Sequence, residues 1–112
     1  MKSYKVLVLD VNAPGIGAAI YARCGDVSTR RIAARVAYGV EPIYISENAV
    51  IEARARLPDG NTCDFDCAAE NGAFLMEIPS SALQHPGKAI LQAKIMNGES
   101  VLITPKIVMF IT

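Results

Sequence analysis

Apolar and polar residues alternate with a period of two along most of this chain. In VIEARARL, residues 50–57, the Ile, Ala and Leu side chains point one way, while Glu52, Arg54 and Arg56 point the other. The same alternation recurs in RRIAARVAY, CDFDCA, AFLMEI and KAILQAKI. A period of two is typical of β-strands with one buried and one exposed face. The only helical piece we expect is a turn in PSSALQH, beginning near Ser80 or Ser81.

Turn signals separate these segments. Pairs that contain Gly or Pro, such as Tyr38-Gly39, Asn71-Gly72 and Pro86-Gly87, recur along the chain. Many short strands separated in this way are typical of an all-β sandwich or barrel. The 112 residues fit one domain, residues 1–112, which is large enough to bury its own core.

The turn at residues 58–61, Pro-Asp-Gly-Asn, allows two hairpin registers. A two-residue loop would place Arg56 opposite Cys63, which sets a charge beside a core thiol. A three-residue loop, residues 59–61, places Arg56 opposite Asp64, so that opposite charges pair on the exposed face. We predict the longer loop, because it satisfies both faces and its terminal Asn tolerates a left-handed backbone.

Asn97-Gly98 is the strongest hairpin signal in the chain. It precedes a final segment, SVLITPKIVMFIT, that is apolar on both faces and contains Pro105 in its middle. Proline has no backbone N–H to donate to a strand ladder. We therefore expect the final strand to bend at Pro105 or to border an edge there.

The first strand, VLVL, is also apolar on both faces. In a small sandwich the domain itself seldom covers both faces of a strand. Either another chain or the loops of this chain then cover the outward side chains. The candidate interaction residues are Val6, Val8, Val108 and Phe110.

Charge and hydropathy exclude several classes of protein. The formal net charge is zero, with 11 basic and 11 acidic residues, so the basic excess of nucleic-acid binders is absent. No apolar run approaches the roughly 20 residues that span a bilayer. Asp10 and Asn12 interrupt the first apolar run before a signal-peptide core can form. We expect a protein that is made in the cytoplasm and kept or assembled there, and that binds neither nucleic acid nor membrane.

The pair Gly15-x-Gly17 follows an apolar run, as in a dinucleotide-binding fingerprint. The third position of that fingerprint is Ile20 rather than Gly or Ala, and no obvious helix follows. A turn or short linker between two strands explains the glycines more simply.

No other residues form a catalytic, cofactor or metal constellation. His85 is the only histidine, and no nucleophile elbow surrounds Ser80 or Ser81. Asp64-x-Asp66 lacks the rest of a calcium loop. Cys63 and Cys67 lie about 13 Å apart on one face of a strand, too far for a disulfide. We predict free thiols, no cofactor, no metal and no catalytic site.

Five segments together resemble the N-terminal domain of the phage baseplate upper protein family. They are LDVNAPG, IYARCGDVSTRRI, LPDG, IPSSALQHPGKAILQAKI and the strand near the C-terminus. Domains of this family are similar in their Gly-Asp turn followed by Ser/Thr-Arg, their strand ending in Pro-Asp-Gly, and their Pro-Gly turn before the last hairpin. The resemblance covers nearly all of the chain.

The resemblance implies an immunoglobulin-like antiparallel β-sandwich of about seven to nine short strands. It implies a non-catalytic structural protein of a phage or prophage tail baseplate, located in the virion and assembled in the bacterial cytoplasm. Its partners would be other tail or baseplate proteins, with a second copy of the chain as a further option. Longer members add a helical linker and a distal domain. Because this chain ends at Thr112, we expect a stand-alone accessory or a docking piece.

Two other functions remain open from the sequence. An immunoglobulin-like module could bind a carbohydrate or a peptide, and the aromatic candidates for such a site are Tyr21, Tyr38 and Tyr44. The absence of Trp argues against it. An enzyme would need a nucleophile, acid or base constellation that the sequence does not contain.

Overall fold

The computed structural model describes residues 6–12, 16–25 and 30–112, and nearly all of these residues form strands and turns. A short 3-10 helix spans Ser80–Leu83, at the position that the sequence predicts. The strands are β1 (Val6–Asp10), β2 (Ile16–Ala22), β3 (Arg30–Tyr38), β4 (Glu41–Ile43), β5 (Val50–Arg56), β6 (Thr62–Glu70), β7 (Ala73–Ile78), β8 (Gly87–Asn97), β9 (Ser100–Ile103) and β10 (Lys106–Ile111).

The strands form two layers that share β6. Sheet A contains β1, β3, β7 and the second half of β6, with β4 beside β3. Sheet B contains the first half of β6, then β5, β8, β10 and β2, with β9 beside β8. Strand β6 changes partner within its length, because Phe65 pairs with β5 and the next residue, Asp66, pairs with β7. The all-β, sandwich-like prediction is confirmed.

Two details of the predicted architecture are wrong. The described residues form ten strands rather than seven to nine. The pairs β1–β3 and β10–β2 are parallel, so the fold is mixed rather than purely antiparallel. The reason for the first parallel pair is that β2 lies in the opposite sheet. The chain crosses to sheet B and returns, and β3 therefore enters sheet A in the same direction as β1.

The predicted alternation places the core between the sheets. Phe74, Met76 and Ile78 of β7 are buried, and the residues between them are more exposed. Leu91, Ala93 and Ile95 of β8 face them from sheet B. Burial of such side chains stabilises the fold by about 1.5–3 kcal/mol for each large residue. Every buried side-chain nitrogen or oxygen in the described part of the chain has a hydrogen-bond partner.

The hairpin between β5 and β6 has a different register from the predicted one. Arg56 lies opposite Thr62 rather than Asp64, and Arg54 lies opposite Asp64. The loop is Pro58-Asp59-Gly60, closed by hydrogen bonds from the Leu57 N–H to the Asn61 carbonyl at 2.8 Å and from the Gly60 N–H to the Leu57 carbonyl at 2.9 Å.

The physical reason is the backbone of the turn. Gly60 has a φ of +89°, a left-handed conformation that costs glycine least. Pro58 occupies the second position of the preceding turn, where its fixed φ is favourable. The observed register differs from the prediction by two residues along β6. The same residues therefore still face the core, and the alternation alone could not separate the two registers.

The second predicted hairpin is confirmed, and so is the bend at Pro105. Asn97 pairs with Ser100 across a two-residue loop, and Gly98 has a φ of +65°. Three residues, 104–106, then lie opposite two residues of β8, which makes a bulge that separates β9 from β10. At this bulge the Thr104 hydroxyl accepts the Ala93 N–H at 3.1 Å, and the Gln92 side chain donates to the Thr104 carbonyl at 2.9 Å.

No helix in the described part of the chain has the length and apolar character needed to span a membrane.

Candidate interaction surface

An apolar row crosses the outer face of sheet A. Val6 of β1 lies opposite Ala33 of β3, Ala33 lies opposite Leu75 of β7, and Leu75 lies opposite Ala68 of β6. These four side chains point away from the core, because their neighbours along each strand are the buried or half-buried ones. Three spacings between four strands give the row a length of about 14 Å. We call Val6, Ala33, Leu75 and Ala68 the apolar row.

Charged residues flank the apolar row on one side. Arg31 lies opposite Glu77 and donates to its carboxylate at 3.1 Å, and Glu77 lies opposite Asp66. Arg31, Asp66, Ala68, Leu75 and Glu77 line a shallow depression of about 300 Å³. The exposed ion pair contributes at most about 1 kcal/mol to stability, so its charges remain available to a partner.

A second depression, of about 290 Å³, lies at the other side of the apolar row. Arg35, Glu70 and Ala73 line it, together with Val6 and Leu75. Val8 lies opposite Arg35 and its side chain is 62% exposed, while that of Val6 is 46% exposed. The surface therefore combines an apolar centre with charges of both signs on its borders, which is the composition of a protein-binding patch.

Strand β1 also has an open edge in the described part of the chain. Its only strand partner there is β3. The Val11 N–H donates to the Ala37 carbonyl of β3. Because backbone groups alternate along a strand, Val6 and Val8 direct their N–H and C=O groups away from β3. The two predicted interaction residues of β1 thus present both an exposed apolar side chain and unshared backbone groups.

The two predicted interaction residues of β10 lie elsewhere. Val108 is only 3% exposed, because β10 runs between β8 and β2 and Val108 lies between Ile90 and Ala19 in register. Phe110 is half-buried, and its ring stacks on Tyr21 at 5.4 Å between centroids. Other residues of this chain therefore cover Val108. The four predicted residues do not form one surface.

Sequence reasoning missed a second apolar surface, on the outer face of sheet B. Val50 lies opposite Met96, Met96 lies opposite Val101, and Ile103 lies two residues beyond Val101 on β9. Val101 and Ile103 are each 58% exposed. We call Val50, Met96, Val101 and Ile103 the β9 patch. The signal in the sequence was SVLI shortly after Asn97-Gly98, a strand with apolar residues on both sides of the alternation.

A broad depression of about 720 Å³ lies next to the β9 patch. Its charged lining residues are Glu52, Arg54, Arg56, Asp64, Lys94 and Lys106. The hydrogen bond and the charge of Asp64, at 2.9 Å, raise the pKa of Arg54. Because the acidic residues lie among the basic ones, the depression does not form a uniformly charged site.

Asp59 has a structural role in the turn between β5 and β6. Asp59 accepts the backbone N–H of Asn61 at 3.0 Å, and this hydrogen bond lowers its pKa. His85 lies 3.8 Å from Asp59 and is exposed. Burial raises the pKa of the Cys67 thiol to about 11 and also raises that of Cys63, so neither is an activated nucleophile.

Only one of the two glycines of the apparent dinucleotide fingerprint lies in the described part of the chain. Gly15 lies outside the described residues. Gly17 lies within β2, where a Cβ atom would come within 2.6 Å of the Pro105 ring. A strand in place of a helix after this glycine is incompatible with a dinucleotide-binding turn. The described residues contain no group of three His, Cys, Asp or Glu side chains that could hold a metal ion.

Comparisons with known proteins identify the fold. No family model matches the chain, and no curated protein matches its sequence. Solved structures do match, and one of them is the N-terminal domain of phage TP901-1 ORF48. The two structures superpose with a TM-score of 0.69 over 95% of each chain, at 15% sequence identity. The resemblance that the sequence motifs indicated is therefore confirmed at the level of the fold, which is similar to that of this phage domain.

Proposed function

We propose that this chain is a non-catalytic structural component of a phage or prophage tail baseplate, assembled in the bacterial cytoplasm and carried in the virion. The observation that carries the proposal is the fold match over 95% of both chains with a phage domain. The ordered motifs of the sequence support the same class independently of the fold. We further propose that residues 1–112 act as a single domain.

The surface that suits this role is the outer face of sheet A. The ends of its apolar row, Val6 and Ala68, are exposed, and charges of both signs border the row. In the described part of the chain the open edge of β1 adjoins it. A partner that covers Val6 and Val8 removes apolar area from water, at about 25 cal/mol for each Å². A partner with its own charged border would pair with Arg35 and Glu70 and thereby fix the orientation of docking. The proposed partners are other tail or baseplate proteins.

The roles of the polar residues support a non-catalytic function. Asp10 accepts the N–H groups of Asn12 and Gly39 and so holds a turn. Asp64 pairs with Arg54 across a hairpin. Each of these carboxylates has a local structural task, and none lies beside an activated nucleophile.

The experiment that tests this function is mass spectrometry of phage particles induced from the source cell and purified by density gradient. We expect peptides of this chain at a stoichiometric ratio to other tail proteins. If the protein is present in the cells but absent from intact particles, the baseplate function is wrong.

The docking surface has its own test. Val6→Lys and Val8→Lys variants should lose incorporation into particles while remaining folded. Val40→Lys is the matched control, because Val40 is 95% exposed in the turn between β3 and β4, away from the apolar row. Equal incorporation of all three variants would exclude sheet A as the docking face.

A second candidate function is a binding module for carbohydrate or peptide. The exposed rings of Tyr38 and Tyr44 favour it, since aromatic faces stack on sugars. A glycan array and a peptide array probed with the purified chain distinguish this function from the baseplate role. Binding that depends on Tyr38 or Tyr44, together with absence from particles, would replace the first proposal.

A further inference from the structure

Strand β9 has an open edge with a self-complementary pattern of backbone groups. Within the described residues its only strand partner is β8. The Thr104 N–H donates to the Ala93 carbonyl of β8 at 3.0 Å. By alternation, Leu102 also directs its backbone groups toward β8, while Val101 and Ile103 direct theirs outward. The edge therefore presents two residues with unshared backbone groups on either side of Leu102.

We propose that this edge pairs with the same edge of a second copy, in an antiparallel arrangement with its two-fold axis at Leu102. Such an axis places Val101 of one copy opposite Ile103 of the other, and the reverse. Both residues of each pair direct N–H and C=O groups to the junction, so four backbone hydrogen bonds form. The junction is isologous, as in most homodimers.

The side chains around the axis are complementary as well. On the outer face, the junction joins the β9 patch of one copy to that of the other. Val101 and Ile103 form two cross-strand pairs of β-branched residues, a favourable combination. On the inner side, the half-buried Leu102 residues of the two copies meet at the axis, where an antiparallel pair has its shorter Cα separation.

Charge supports a second copy as the occupant of this edge. With Leu102 opposite Leu102, the register places Glu99 of each copy opposite Pro105 of the other, one residue from Lys106. Lys106 has an exposed side chain and pairs with Ile16 of β2 in its own copy. The junction is thus bordered by an acid–base pair at each end.

The inference does not depend on the proposed phage function, because it rests only on the β9 edge. An edge of four residues is smaller than the usual interface of a permanent dimer. We therefore expect reversible association, with monomer at low micromolar and dimer at millimolar concentration.

Sedimentation equilibrium of the full chain over this concentration range tests the proposal. The expected result is a concentration-dependent shift from 12.0 kDa toward twice that mass. The double variant Val101→Lys/Ile103→Lys should raise the dissociation constant about tenfold or more. Val6→Lys/Val8→Lys is the matched control, because it makes the same change on the other open edge and should leave association unchanged.

A charge exchange keeps the test valid if the lysine variants fold poorly. Glu99→Lys and Lys106→Glu should each weaken association, and the double exchange should restore it. A chain that stays monomeric at millimolar concentration overturns the proposal. So does a dimer that only the Val6 and Val8 variants disrupt, which would assign self-association to β1.

Disulfide trapping tests the register directly, in a variant whose three native cysteines are replaced by Ser. Leu102→Cys should form a covalent dimer under mild oxidation, because the Cα atoms at this position in the two copies lie opposite each other. Val101→Cys should not form one, because Val101 lies opposite Ile103 of the other copy. The Cα atoms of the two Val101 residues are one strand and two residues apart, which is about 8 Å. Efficient trapping at Val101, which is the more exposed position, with none at Leu102 would overturn the two-fold arrangement.

Discussion

The Thr104 hydroxyl replaces a backbone group at the bulge between β9 and β10. Thr104 is only 1% exposed, and its Oγ1 atom accepts the Ala93 N–H at 3.1 Å. The Thr104 carbonyl is engaged by the Gln92 side chain instead. The hydroxyl is therefore the acceptor that this buried N–H has in the structure.

We predict that Thr104→Val destabilises the protein although valine has nearly the same shape. The substitution opens no cavity, so packing is retained. It leaves the Ala93 N–H without an acceptor, and an unsatisfied buried donor costs about 1–3 kcal/mol. Removal of a buried hydroxyl offsets a part of this, and we expect a net loss of about 1–2 kcal/mol. For a domain of this size the loss corresponds to a decrease in Tm of about 4–12 °C.

Urea denaturation and hydrogen exchange measure the two parts of this prediction. The free energy of unfolding should fall for Thr104→Val, and the Ala93 amide should exchange faster relative to its neighbours on β8. Thr104→Ser is the control, because it keeps the hydroxyl and removes the methyl group. If Ser destabilises the protein as much as Val, or if Val leaves stability and Ala93 exchange unchanged, the hydroxyl does not have the role described.

Three further predictions concern other parts of the fold. Val108→Asp should destabilise the protein by about 3 kcal/mol or more, because it buries a charge, whereas Val8→Asp should change stability by less than about 0.5 kcal/mol; denaturant unfolding of both variants compares them. Gly17→Ala should cost about 1–3 kcal/mol, since its Cβ would lie 2.6 Å from the Pro105 ring, and a wild-type Tm would contradict this contact. Burial raises the pKa of the Cys67 thiol from 9.0 to about 11, so the folded state holds the proton longer, and stability should fall as pH rises between these values. Cys67→Ala should show a smaller decline over that pH range, and an equal decline would show that other groups cause it.

The sequence predicted most of the strands and which of their side chains face the core. In β5 and β7 the alternation predicted which side chains face the core, and the structure confirms it. The hairpin at Asn97-Gly98, the interruption at Pro105 and the short helical turn at Ser80 were also predictable. Each of these features depends on neighbours within a few residues, where side-chain periodicity and turn chemistry determine the backbone.

The register of the hairpin between β5 and β6 could not be predicted from the alternation alone. A shift of two residues keeps every side chain on its own face, so the alternation is equally satisfied by both pairings. The choice depended on which residue adopts the left-handed backbone. Gly60 does so, with Pro58 preceding it in the turn.

The candidate surfaces depended on strand order more than on composition. The residues Val8 and Val108 look equivalent in the sequence, because each lies in a strand that is apolar on both faces. The structure places β1 at an edge and β10 between two strands, so Val8 is exposed and Val108 is buried. The apolar row likewise unites residues of β1, β3, β7 and β6 that are up to 69 positions apart, from Val6 to Leu75.

The sequence by itself thus determined the strands, their turns and the inward faces of most of them, because those properties follow from local periodicity. Only the tertiary structure decided the parallel pairing of β1 with β3, the division of β6 between two sheets, and which apolar side chains remain exposed. The physical reason is that backbone hydrogen bonds between strands form whichever side chains the strands carry. Strand partners are therefore selected by the packing of the whole core, and the order of the strands then determines which faces and edges a partner can reach.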